Sequence, residues 1–109
     1  MIALLFVVLN LSQDIVGEWA VPGECNLRRL TFTDDMKVQI KSNINDSWTV
    51  TYNGVYAVEG DIIQGGLPNA CLDFAFQITN IDASHFDYCN LEIPNPAWDC
   101  SPMHYEKCK

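Results

Sequence analysis

Cys71-Leu72-Asp73-Phe74-Ala75-Phe76-Gln77-Ile78, followed after a short break by His85-Phe86-Asp87-Tyr88-Cys89, is the stretch on which the fold turns. Leu72, Phe74, Phe76 and Ile78 alternate with Cys71, Asp73, Ala75 and Gln77, while Phe86 and Tyr88 alternate with His85, Asp87 and Cys89. A period of two marks a strand with one buried and one wet face. A turn centred on Asp82 sets Ile78 opposite Phe86 and Phe76 opposite Tyr88, so one face of the hairpin is wholly apolar. A slip of one residue would put Phe76 against Asp87 and mix the faces. In this register Cys89 lies opposite Ala75, and Cys71 is four residues further along, about 13 Å away at ~3.3 Å per residue. These two cysteines should not bond to each other.

The same alternation runs back toward the N-terminus. Ile15 to Val21 reads as a first strand ended by Pro22-Gly23, then Leu27 to Thr33, then Met36 to Ser42, where Met36, Val38 and Ile40 alternate with Lys37, Gln39 and Lys41. After a turn at residues 43–46, Ser47 to Tyr52 runs into Asn53-Gly54, a strong two-residue hairpin signal, and Val55 to Glu59 is expected to return. Gly60-Asp61 turns into Ile62 to Gln64, and Gly65 to Asn69 is a loop. Forward of the hairpin, Pro94, Pro96 and Pro102 deny residues 94–109 a long helix or a central strand, which predicts an irregular tail. The sum is an all-β domain over residues 13–93. About eight short strands with tight turns suit a small antiparallel up-and-down barrel, whose closure removes exposed edges, or a two-sheet β-sandwich of the same strands.

Composition narrows the partners. Fourteen acidic against six basic residues give a net charge of −8, which disfavours nucleic acid and anionic membranes as partners. Met1 to Ser12 carries an apolar run too short to span a bilayer and long enough for a signal-peptide core, with Ser12 placed for cleavage. The expectation is a secreted chain without a membrane anchor; the alternative is an apolar first strand. Five cysteines, Cys25, Cys71, Cys89, Cys100 and Cys108, fit an oxidising compartment. Two disulfides and one odd thiol follow, with Cys100 and Cys108 suited to pinning the tail to Cys71, Cys89 or Cys25. The leftover is a buried inert thiol or a bridge between two copies, so the chain is a monomer or a dimer through that cysteine. Asn45-Asp46-Ser47 is a glycosylation acceptor in a turn, whereas Asn10-Leu11-Ser12 leaves with the leader.

Gly17-Glu18-Trp19 resembles the G-x-W signature of lipocalins and related calycins, and the secreted context, the strand meander and a cysteine-clamped tail are also similar. The resemblance spans roughly residues 15–91. It implies a barrel with Trp19 plugging its closed end beside Gly17, and a cavity for a small hydrophobic ligand. Lipocalins also set an Arg or Lys late in the barrel against that tryptophan; here no basic residue lies between Lys41 and Lys107.

The residue pattern itself offers little catalysis. His85 with Asp82, Ser84 and Asp87 suggests at most a hydrolytic group, which a solvated turn explains equally. Asn80, Asp82 and Ser84 lack the glycine and glutamate of a calcium loop, and the cysteines show no zinc spacing. No cofactor or metal is expected, and no enzyme. Binding has more material. Trp48, Val50 and Tyr52 share a face that meets Val55, Ala57 and Glu59 across Asn53-Gly54. With Phe74, Phe76, Ile78, Phe86 and Tyr88 they form an aromatic interior. These rings either fill a core or line a pocket in which Tyr52, Tyr88 or Glu59 orients the ligand. The two functions in view are a secreted carrier of a small hydrophobic ligand and a secreted protein-interaction module, inhibitor or effector, with a filled core.

Overall fold

Turn chemistry and strand alternation together specify the order of strands in the computed structural model, which describes residues 11–91 and 103–109. A short helix α1 (Leu11–Asp14) leads into β1 (Gly17–Ala20), β2 (Arg28–Phe32), β3 (Lys37–Ile44), β4 (Ser47–Glu59) and β5 (Ile62–Leu67). A 3₁₀ turn (Pro68–Ala70) precedes β6 (Leu72–Ile81), β7 (His85–Asn90) and β8 (Met103–Lys107). Each strand pairs antiparallel with its sequential neighbour, and β8 pairs with β1, so the sheet is a closed barrel and not a sandwich. Asn45 and Asp46 both take left-handed backbone in the β3–β4 turn, the conformation a tight two-residue hairpin needs and asparagine and aspartate tolerate.

The barrel reaches eight strands by a route the sequence pattern did not predict. Asn53-Gly54 is not a turn: β4 runs unbroken through it, so the two strands expected at 47–52 and 55–59 are one. The glycine serves strand contact instead. A Cβ on Gly54 would lie 2.8 Å from the Gly66 carbonyl carbon, and closer still to its oxygen, so β4 and β5 approach too tightly there for any side chain. The missing strand comes from the expected irregular tail, where Met103–Lys107 pairs with β7 on one side and β1 on the other. The three prolines all precede it, which is why proline content misled.

The β6–β7 register also differs. Ile78 lies opposite Tyr88 and Ile81 opposite Phe86, with Thr79 as an inserted residue between Ile78 and Asn80. The apolar face survives because the bulge absorbs the offset: Phe76, Ile78, Phe86 and Tyr88 are all buried. Cys89 faces Gln77, not Ala75. Leu11 and Ser12, assigned by the sequence to the leader, belong to α1, and Leu11 is buried in the core at 8% exposure. Ile15, Trp19, Phe32, Val38, Ile63 and Phe86 are the most deeply buried side chains. Burying each of them contributes roughly 1.5–3 kcal/mol.

Cys25 bonds to Cys108, which ties the end of β8 to the loop after β1. Cys89 is also disulfide-bonded. Cys100 lies outside the described residues. Cys71 is a free thiol and is exposed, so the expectation of a buried inert one fails: it caps the 3₁₀ turn in left-handed backbone, beyond the barrel wall.

Candidate ligand cavity

The end of the barrel beside α1 is closed by a cluster built on Trp19. Its indole N–H donates to the Ile15 carbonyl at 2.8 Å, its ring meets the edge of Phe86 at 4.8 Å, and Lys107 Nζ sits 4.4 Å over its face. Lys107 also donates to the Val16 carbonyl at 3.0 Å. Gly17 explains itself here: its backbone lies at φ +143, and a Cβ would collide with the end of the Lys107 side chain. Gly17, Trp19 and Lys107 are therefore one unit in which the glycine makes room for the cation over the ring. Lys107 reaches this place because β8 exists; a sequence reading that ended the barrel before the tail had no strand to carry it.

Rings fill much of the interior. Phe76 contacts Tyr88 at 4.4 Å and Phe74 at 5.2 Å, and Tyr88 stacks on Tyr105 at 5.2 Å. Burial, with Tyr105 beside it, pushes the Tyr88 phenol well above the usual range, so it stays neutral. A cavity of about 170 Å³ is lined by Trp19, Leu30, Ile40 and Tyr105 together with Glu24, Arg28 and Arg29, and a second, more open one of about 330 Å³ lies among Leu11, Gly60, Asp61, Ile78 and Ile81. Strand pairing sets Leu30 against both Trp19 and Ile40, and Arg28 two residues along shares their inward face, near the rim where β2 begins.

The expected ligand residues divide. Phe74, Phe76 and Tyr88 are buried inside but belong to the packed rings, not to the cavity lining. Tyr52 pairs with Ile40 on the inward face, at the rim, and is half-exposed. Trp48 is outside, contrary to expectation. The register shifts between Ile40 and Lys41, leaving Thr51 as the extra residue, its hydroxyl donating to the Ile40 carbonyl at 2.9 Å. That bulge turns Val50 and Trp48 to the face of Lys41 and Asn43, so Trp48, 40% exposed, lies under the Arg29 guanidinium at 4.6 Å. Glu59 is exposed and pairs with Ile62 at the opposite end of the barrel, because β4 continues instead of folding back. Asn45 is exposed at the β3–β4 turn. Leu30, Ile40, Tyr105, Arg28 and Glu24 were not singled out. Leu30 and Ile40 carried an alternation signal, while Tyr105 lay in the supposed tail.

On the outer wall Glu18 bridges Arg29 at 2.7 Å and Lys41 at 2.8 Å. Burial alone would raise the Glu18 carboxyl, but these two cations outweigh it and hold the group below its usual value. Arg29 also donates to the Cys25 carbonyl at 2.6 Å, which fastens the loop that carries the disulfide.

The histidine cluster is a capped turn. Asp82 accepts the backbone N–H groups of Ser84 and His85 and the Ser84 hydroxyl, and these bonds hold its carboxyl down at about 2. The Ser84 proton is thus committed to Asp82, although its oxygen lies 3.1 Å from His85 Nδ1. Asp87 sits between His104 at 2.5 Å and His85 at 3.9 Å, and the His104 hydrogen bond keeps its carboxyl ionised to lower pH than usual. Among the described residues no group of three or more potential ligands is arranged to hold a metal. No described helix is long and apolar enough to cross a membrane.

The architecture is an eight-stranded antiparallel barrel compatible with a calycin-like fold. No protein-family model, curated protein or solved structure matches the chain.

Proposed function

We propose that this is a secreted, lipocalin-like binding protein that carries one compact apolar ligand in its barrel. The observation that carries this reading is the cavity of about 170 Å³ between Trp19, Leu30, Ile40 and Tyr105, the more enclosed of the two described spaces. A space of roughly 150 Å³ is enough for one benzene ring. The size therefore sharpens the expectation: a single ring or short branched chain fits, whereas a retinoid or long-chain lipid, which needs about 300 Å³ or more, does not. The Gly17–Trp19–Lys107 cluster supports the family reading, and the Cys25–Cys108 disulfide supports export.

A second reading has its own observation. Trp48 and Val50 are both exposed on the outer face of the β3–β4 hairpin, an apolar surface suited to a protein partner. Calorimetry with toluene and indole separates the two, with Leu30→Trp as a cavity-filling variant. Saturable binding that Leu30→Trp abolishes in a folded protein supports the carrier. Absence of any saturable binding leaves the hairpin surface as the better account.

A further inference from the structure

Resting on the carrier reading, we infer that the cavity takes a small apolar zwitterion, an α-amino acid with one ring or branched chain. Three charged residues line it, and of these Glu24 and Arg28 are unpaired whereas Arg29 is bound to Glu18. The Arg28 backbone N–H donates to the Glu24 carbonyl at 3.1 Å, which closes the turn leading into β2 and sets the two residues at its ends. Glu24 and Arg28 do not pair with each other, and among the described residues neither side chain makes an ion pair or hydrogen bond, while nearby Arg29 and Lys41 are both ion-paired to Glu18. Both Glu24 and Arg28 border the cavity whose floor is apolar.

An apolar carboxylate would satisfy Arg28 and leave Glu24 facing like charge; an apolar amine would do the reverse. A ligand bearing an ammonium and a carboxylate on one carbon satisfies both, with its side chain on Trp19, Leu30, Ile40 and Tyr105. The free guanidinium grips a carboxylate through paired N–H donors, which fixes the ligand's orientation as well as its charge. Arg28 and the Glu24 side chain lie at the surface or partly so, hence their substitution leaves the core intact.

The test is calorimetry with four probes sharing one ring: L-phenylalanine, 3-phenylpropionate, phenethylamine and toluene. Binding of L-phenylalanine should be at least tenfold tighter than that of each singly charged probe. Arg28→Ala should lower it to the level of phenethylamine, and Glu24→Gln to that of 3-phenylpropionate. If toluene binds and L-phenylalanine shows no advantage, the zwitterion inference falls while the carrier reading stands. If 3-phenylpropionate equals L-phenylalanine and Glu24→Gln changes nothing, the inference falls likewise. If no probe binds, both fall together.

Discussion

Replacing both Cys25 and Cys108 with serine should remove most of the margin that keeps this barrel folded. The disulfide closes a loop of 83 residues, and the loop-entropy relation gives about 4.5 kcal/mol at 25 °C for that length. The structure adds a reason for the loss to be felt in full. Among the described residues β1 and β8 pair at two positions, Trp19↔Lys107 and Ala20↔Glu106, with one further backbone bond from the Cys108 N–H to the Glu18 carbonyl, whereas β2 and β3 pair along the whole of Arg28 to Phe32. This is where the first and last strands close the barrel, and the disulfide staples it. Domains of this size are stable by about 5–15 kcal/mol, so the variant should sit near the edge of unfolding. Urea denaturation followed by tryptophan fluorescence reads the change, since Trp19 lies between Phe86 and Lys107 at this seam. Cys71→Ser is the control and should be silent, its thiol being free and exposed. A loss below about 1 kcal/mol in the double variant would refute the reasoning, because the seam would then be holding without its staple.

Glu18→Gln should cost about 1–2 kcal/mol at neutral pH by stranding Arg29 and Lys41. Because the folded Glu18 carboxyl is held below its unfolded value of 4.5, its contribution is complete above that pH and fades as pH falls through the lower folded value. The difference between wild type and Glu18→Gln should thus shrink on acidification, and a gap that is constant from pH 7 to pH 3 in urea titrations would count against the bridge. Gly54→Ala should cost about 3 kcal/mol or more, since the new methyl meets the Gly66 backbone, while Gly60→Ala, in left-handed backbone with open space, should cost only about 1 kcal/mol. Equal thermal shifts for the two would undo the close-approach account of Gly54. Leu11→Ala should lose about 2–3 kcal/mol. The product of the export proposed above should also retain Leu11 by intact-mass measurement; a fully stable product beginning at Gln13 would contradict the place of Leu11 in the core.

The barrel was legible because alternation is local. Phe74, Phe76, Ile78, Phe86 and Tyr88 announce a buried face whatever the register, and that face persisted although Thr79 shifted the pairing. What failed depends on contacts distant in sequence. Asn53-Gly54 carries the chemistry of a turn, and nothing nearby says that Gly66 will press against it. The bulge at Thr51 reverses the facing of Trp48 and Val50, so three residues spaced by two ended on different sides of the wall. Tyr105 and Lys107 were missed because three prolines obscured a strand only five residues long. The candidate cavity was consequently sought among Phe74, Phe76 and Tyr88, which pack against one another, whereas its lining comes from β1, β2, β3 and β8, where the chain's two ends meet.

The central claim is that the space beside Trp19 is a ligand site. A methyl-labelled NMR titration with toluene tests it most directly. The account predicts saturable shifts at the methyls of Leu30 and Ile40 with the indole signal of Trp19 moving in parallel. Shifts confined to Val50 on the outer face of the hairpin, with Leu30 and Ile40 unmoved, would contradict it.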